Sequence, residues 1–373
     1  MKLVNPTPLT AVAFRQFDRD GGLDVVVSAK ATFLHRQGGG LRLHREQEPF
    51  QWEDAYEGEP HASPLVRQTD LTPEKVGTDV TFLGTAQAPG CKLLAEWPVR
   101  LQLGPVDKRL NVAGPRQWLP DTEVRWPGLH AKASKRALVG WTLTEPEPTN
   151  CVPLSWAFAL GGPLPTSPDH SGPVDVEQRN PLGRGLVDLK MGPDAGPCPA
   201  HQISWPDETE PDWRAPRAPA GLGPLSPWWR EREQYVGTYD QAWLDERHPL
   251  LPEDFDLRFW QSSPPDQIAI PHLKGNEAYR LENLSPDFAV AEGRLPDVTL
   301  AVRTDGTPTD GWHDLALDGV HFDWREDHRV ILTWRGRFPL PEAAGVTLTL
   351  ARVMSERTAA PARAQPEAAD VDA

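Results

Sequence analysis

Between residues 23 and 33 the apolar side chains fall on every second position: Leu23, Val25, Val27, Ala29, Ala31 and Phe33. A period of two lines one face of an extended strand and does not fit the 3.6-residue turn of a helix. Asp20-Gly21-Gly22 before the run and Gly38-Gly39-Gly40 after it supply residues that accept tight-turn backbone. Leu41 and Leu43 then begin a partner strand, so the chain opens as a β-meander. The same pattern returns over residues 79–84, 99–103, 109–112 and 137–144, and again over 298–350, where Val330-Ile331-Leu332-Thr333-Trp334 is the strongest run. Nothing before residue 145 has the periodicity of a long amphipathic helix. Gly 30 and Pro 41 make 30 + 41 = 71 of 373 residues. That is more than an ordinary domain carries and less than a low-complexity chain, so many turns and long connections are expected within a folded protein.

These patterns predict a mainly β protein (all-β or β-rich α+β), with antiparallel sheets in two β-rich lobes, long Pro-rich loops and one or two short helices. Alternate prolines in Glu145-Pro146-Glu147-Pro148 suit an extended linker. The N-terminal lobe is therefore placed at residues 1–148 and the C-terminal lobe at 149–355. From Gly161 to Pro227 prolines are so dense that surface loops are expected. One helix is read over 238–247: Thr238-Tyr239-Asp240-Gln241 has the form of a capping box, Tyr239 and Trp243 share a face, and Pro249 ends the helix. Phe255-Asp256-Leu257-Arg258-Phe259 alternates like a strand. Residues 356–373, rich in Ala, Pro, Glu and Asp, read as a disordered tail.

The charge balance excludes several functions. Lys+Arg 38 against Asp+Glu 53 gives a formal net charge of -15, which opposes binding to phosphate backbones or anionic lipid. Neither a nucleic acid nor a membrane is expected as a partner. No apolar run approaches a membrane span and no secretory leader is evident. Cys91, Cys151 and Cys198 are odd in number and widely spaced, so reduced thiols and a cytoplasmic location are the expectation.

Catalytic motifs are missing. There is no nucleophile elbow and no phosphate loop, and Gly183-Arg184-Gly185 is only a fragment of a dinucleotide fingerprint. Cys198-Pro199-Ala200-His201 offers at most two metal ligands, and His313, His321 and His328 lie in charged turns where solvated residues are the default. We expect no catalytic residue, no metal and no cofactor. The unusual feature is Trp 15, with Trp228, Trp229, Trp243 and Trp260 gathered in one region and Arg230, Arg232 and Arg258 between them. Core packing is the default for such residues. A protein interface, where Trp and Arg dominate, and a sugar-stacking platform are the alternatives.

Several strings resemble one bacterial family. Asp70-Leu71-Thr72-Pro73-Glu74-Lys75-Val76-Gly77-Thr78-Asp79-Val80 is similar to its D-L-x-P-x-K-x-x-T-D-V block. Gly84–Gly90, Val112–Trp118, Asn180-Pro181-Leu182-Gly183-Arg184-Gly185 and Gly237-Thr238-Tyr239-Asp240 with Trp243, Pro249, Pro252, Asp254, Phe255 and Asp256 follow in the family's order. Leu160 and Asn276 depart from it, standing where Phe and Asp are expected. The family is domain of unknown function 2169, whose members resemble adaptors of the type VI secretion system. The resemblance implies a cytoplasmic, non-catalytic chaperone that binds a secreted toxic effector and helps load it onto the spike, through VgrG or a PAAR-type tip. Arg184, Trp228, Trp229, Arg230, Tyr239 and Asp240 are the partner-binding candidates. A glycan-acting hydrolase or a carbohydrate-binding β module is the alternative.

Overall fold

The computed structural model describes residues 1–36, 38, 40–126, 134–208, 211–340 and 346–353. It is β-rich, with 42% strand and 8% helix. The largest sheet has seven strands. Six run in the order Ile268–Ala269, Thr78–Leu83, Ala316–Asp323, Arg329–Pro339, Leu23–His35 and Thr10–Phe17, and Leu41–Leu43 also pairs with Leu23–His35. All neighbours are antiparallel except Thr78–Leu83 with Ala316–Asp323. A five-stranded sheet has the order Ile203–Ser204, Val106–Ala113, Glu96–Leu103, Ala278–Glu282 and Val290–Arg294. A four-stranded sheet joins Lys2–Val4, Thr347–Val353, Thr299–Asp305 and Gly311–Asp314.

The alternation read at residues 23–33 explains how the sheets meet. Val25, Val27, Ala29, Ala31 and Phe33 share a core with Val80, Phe82, Val320, Phe322, Val330, Leu332 and Trp334 of the neighbouring strands. Trp97, Val99, Leu101 and Leu103 of the five-stranded sheet belong to the same core. Lys108 is the polar intruder on Val106–Ala113; it is buried, and its Nζ reaches Asp266 at 2.8 Å.

The sheets cut across the expected boundary at 148/149. Leu23–His35 pairs with Arg329–Pro339, and Glu96–Leu103 with Ala278–Glu282. Strands from both sides of the boundary thus share one sheet, so that boundary does not divide the sheets into two lobes. Local periodicity identifies strands but not their partners, which are chosen by distant side chains. The expected tail, 356–373, lies outside the described residues.

Local chemistry corrects two other readings. Phe255–Phe259 is not a strand: Leu257–Trp260 forms a 3-10 turn, because the Asp256 carboxylate accepts from the Arg258 amide and caps it. The helix expected over 238–247 is the shorter Gln241–Glu246, and its N-cap is Asp240, whose Oδ1 accepts from Trp243 N at 2.9 Å. Thr238 is turned away by Asp254, which receives both its amide and its hydroxyl. The shared face is as expected, with the Tyr239 and Trp243 rings 4.6 Å apart, edge to face.

The Pro-rich stretch contains only short elements, such as Arg184–Gly185, Leu189–Met191 and Cys198–Pro199. Its organiser is Asn180, fully buried, whose Nδ2 donates to Trp156 O and Leu160 O, each at 2.9 Å. Gly162 lies beside it at φ +82, where an added Cβ would stand 2.1 Å from Gly183 O, so this crossing of two loops requires glycine.

Trp229 has no exposed surface and meets Trp156 edge to face at 5.5 Å. Trp229→Ala is expected to lower stability by ~3–5 kcal/mol, read from urea unfolding midpoints. A change below about 1 kcal/mol would contradict its place in the core.

Candidate functional site

The large sheet has a second face, and this face is polar yet covered. It presents Lys30 and Thr32, Asp79 and Thr81, His321 and Asp323, Thr333 and Arg335. Charges on a buried face must be paired or they cost several kcal/mol each. The first family block does this pairing. Lys30 Nζ meets Asp70 Oδ2 at 2.5 Å, and Asp70 also accepts from Gln51 N. Lys75 Nζ meets Asp79 Oδ2 at 2.6 Å. Arg335 Nε donates to Asp318 at 2.6 Å, while its Nη1 donates to the carbonyls of Asp70 and Thr72. The Thr78 hydroxyl donates to Leu317 O and accepts from Leu273 N.

Asp79 is also the anchor for an outer layer. Its carboxylate accepts from Gln261 Nε2, Ser262 N, Ser262 Oγ and Ser263 N, at 2.8 to 3.2 Å. Burial alone would push this carboxyl up, but Lys75 and the two serine amides hold it below the usual range. Arg232 ties the layer together, donating to Leu225 O and Phe259 O, and Gln267 Nε2 donates to Val80 O and Leu222 O. A polar cavity of about 60 Å³ remains between sheet and layer, lined by Lys30, Asp70, Asp79, Asp318, His321 and Arg335 among others. It is too small for an organic substrate.

The partner-binding candidates occupy three kinds of place. Trp229 is core, which removes it from any binding surface and corrects that assignment. The period of the sequence could not separate it from its neighbour, because Trp228 and Trp229 differ only in which side of a turn they face. Trp228 is half-buried, 5.4 Å from the His61 ring. Arg184 is half-buried too; its Nε donates to Ala157 O and its guanidinium lies 4.2 Å from the centre of the Phe158 ring. Arg230, Tyr239 and Asp240 are exposed, with Tyr239 at 49%. Asp240 caps its helix, so its carboxylate has a structural task already. Arg230 lies beside a groove formed with Leu164, Val174, Val176 and Glu177. The six candidates therefore do not form one patch, and Leu244, 53% exposed on the Tyr239 side of the outer layer, was not singled out by sequence.

The histidines are separate from one another in role. His313 faces Thr309 O, His321 Nδ1 is 2.6 Å from Thr81 Oγ1, and His328 Nε2 is 2.8 Å from Ser285 Oγ. Asp287 Oδ2 lies 3.5 Å from that same His328 nitrogen. A Ser-His-Asp relay needs the carboxylate on the opposite ring nitrogen, so this trio does not form one. His201 is buried, and Cys198 Sγ points to Gly196 O. Among the described residues no three His, Cys, Asp or Glu side chains are gathered to hold a metal, all three cysteines are free, and no helix is long and apolar enough to cross a membrane.

Burial holds His201 and His321 down to about 3, from an ordinary value of 6.5. Unfolding restores the ordinary value, so below pH 6.5 the unfolded chain binds the extra protons and stability falls as the pH drops. His35 and His328, also lowered by burial, act in the same sense, and Glu208, raised by burial, opposes them. Unfolding free energy is expected to fall by at least ~1.4 kcal/mol per pH unit between about pH 6 and 5. Denaturation midpoints that stay flat over that range would contradict it. Asp79→Ala takes the carboxylate from Lys75 and four further donors and is expected to cost ~3–5 kcal/mol, with Asp79→Asn costing less. Equal midpoints for the wild type and Asp79→Ala would show that the anchor does not hold the layer.

No curated protein and no solved structure matches the chain. A family model described as an uncharacterized protein conserved in bacteria, DUF2169, matches residues 20–335. That span contains the Asp70–Val80 block, the Asn180 crossing and the Asp79-anchored layer. The chain belongs to the DUF2169 family.

Proposed function

We propose that this protein is a non-catalytic, cytoplasmic adaptor that binds a secreted effector of a type VI secretion system and helps load it onto the VgrG or PAAR spike. What carries the reading is the ordered series of family blocks from Asp70 to Asp256. The site chemistry is compatible with it. The charged residues of the first block are engaged in ion pairs, Asp70 with Lys30, Glu74 with Arg337 and Lys75 with Asp79, and Asp79 also holds Gln261, Ser262 and Ser263. Arg230, Tyr239 and Leu244 are presented to solvent, Arg230 beside the buried Arg232 and the other two on a turn and helix held by Thr238 to Asp254 and by Arg247 to Leu251 O. Aromatic and Arg side chains on a fixed backbone lose little entropy on docking, which favours their use as anchors.

The deciding experiment is affinity purification of the chain from its native host, with mass spectrometry of what is retained. An effector and a spike component are expected. In the same assay Arg230→Glu combined with Tyr239→Ala is expected to weaken effector retention about tenfold or more, with the fold intact by circular dichroism. Effector secretion that is unchanged when the gene is deleted would overturn the adaptor reading.

A further inference from the structure

The strands Gln117–Arg125 and Lys135–Leu143 form an antiparallel ribbon that, among the described residues, pairs with another strand only near Gln117 and Trp118. Cys198–Pro199 pairs with Gln117 and Trp118, and beyond Trp118 the strand Gln117–Arg125 pairs, among the described residues, with Lys135–Leu143 alone. At this base one face of the ribbon is core: Trp118, Leu138 and Trp141 pack with Val187 and Ala200. The register shift after Asp121 sets Gly140 opposite Asp121 and Leu138 opposite Thr122, so Val139 is the extra residue and Trp141 and Leu138 stay on the same face.

The apolar face does not end where its support ends. Alternation carries it along the first strand through Thr122 to Val124, with Arg136 across from Val124, and Trp126 follows one residue past the strand. Val124 is 66% exposed and Trp126 is 68% exposed. Two large apolar side chains in this position cost solvation free energy in the isolated protein. The charge around them is also unlike the rest of the chain. Arg125, Lys135 and Arg136 against Glu123 give three positive charges to one negative, on a protein whose net charge is -15. Arg125 reaches Glu123 only at 3.5 Å with both side chains exposed, and Lys135 has no ion-pair partner among the described residues.

We infer that the surface formed by Val124–Trp126 and Lys135–Arg136 of this ribbon is a docking surface for an acidic, apolar-bearing segment of a protein partner. Val124 and Trp126 are its apolar anchors, and Arg125, Lys135 and Arg136 are its charged rim. The charge complementarity selects the occupant. An acidic segment is attracted to the excess positive charge at this end of the ribbon, against a net charge of -15 for the whole chain, so it is steered here. The same net charge of -15 disfavours an anionic membrane or a nucleic acid, which would have to approach the whole body of the protein. The inference rests on the adaptor reading for the identity of the partner, which would be the effector.

The test separates the two. Tagged full-length chain is purified from the native host, and the effector retained by wild type is identified and quantified. Failure of wild type to retain an effector sinks the adaptor reading, and with it the partner named here. If wild type retains it, Trp126→Ser and the charge reversal Arg125→Glu with Arg136→Glu are each expected to reduce retention, about thirtyfold for the Trp variant. Trp52→Ser, which removes another Trp that is 65% exposed, should have no effect. Binding by wild type should weaken as salt rises. A photo-crosslinking residue in place of Val124 should join the chain to the effector. Full retention by both ribbon variants would overturn the inference while leaving the adaptor reading intact. Crosslinks only between copies of this chain, or ribbon-dependent flotation with vesicles containing anionic phosphatidylglycerol, would overturn it in favour of self-association or a lipid surface.

Discussion

The buried carboxylate of Asp79 is the interaction on which most of this structure depends. It sits at the second position of Thr78–Leu83, in a sheet whose one face is an ordinary apolar core. On the other face it must be compensated, and it is, by Lys75 from its own family block and by Gln261, Ser262 and Ser263 from nearly two hundred residues away. Directional bonds of this kind fix which segment covers the sheet and in what register. An apolar contact would allow sliding, whereas a displaced serine amide would leave a buried charge without a donor. The polar face thus gives specificity to a layer that has almost no regular secondary structure of its own.

This explains why a chain so rich in proline can hold long loops in place. Backbone groups in such loops lack ladder partners and need others. Asn180 supplies them at one crossing, Arg232 at a second and Gln267 at a third. Each is a buried side chain whose donors reach two carbonyls, four residues apart for Asn180 and in different segments for Arg232 and Gln267. The tryptophans fill the volume between these crossings. Trp156 packs on Trp229 and its indole donates to Gly223 O at 3.1 Å, so it serves both purposes at once. High Trp content follows from loops that must be packed against a sheet by few, large side chains.

The strands were legible in the sequence because alternation is a local signal: the run from Leu23 to Phe33 needs no knowledge of its neighbours. Their pairing was not. Nothing near Leu23 indicates that Arg329–Pro339 will lie beside it, and a boundary drawn at 148/149 from a proline pair misses that the same sheet takes strands from both sides. The helix at Gln241–Glu246 was placed to within a turn, but its cap was misread because Asp254, remote in sequence, competes for Thr238. Of the candidate site, Arg230 and Tyr239 were found on the surface, while Trp229 was lost to the core. The ribbon end was missed altogether. Residues 124–126 are short, mixed in polarity and unremarkable in composition, and they acquire meaning only when the register of the two strands shows a core face running out into solvent.

The two surfaces differ in a way that bears on how such a protein works. Arg230 adjoins the buried Arg232, and Tyr239 and Leu244 stand on a turn and helix tied to Asp254, Leu250 O and Leu251 O, so their backbone has fixed partners before any docking. Val124 and Trp126 stand on a two-stranded ribbon held at its base, and a two-stranded unit is marginal without support. A fixed surface loses little entropy on binding, while a yielding one loses more but adapts to what it meets. The adaptor proposed above, receiving one partner and passing it to another, would have use for both. The rigid layer can define orientation, and the ribbon can follow a segment whose conformation changes during transfer. In the proposed adaptor the charge and the apolar groups would act on different rates: the basic rim of the ribbon would raise the association rate and make it salt-dependent, and the apolar and aromatic contacts of both surfaces would slow dissociation.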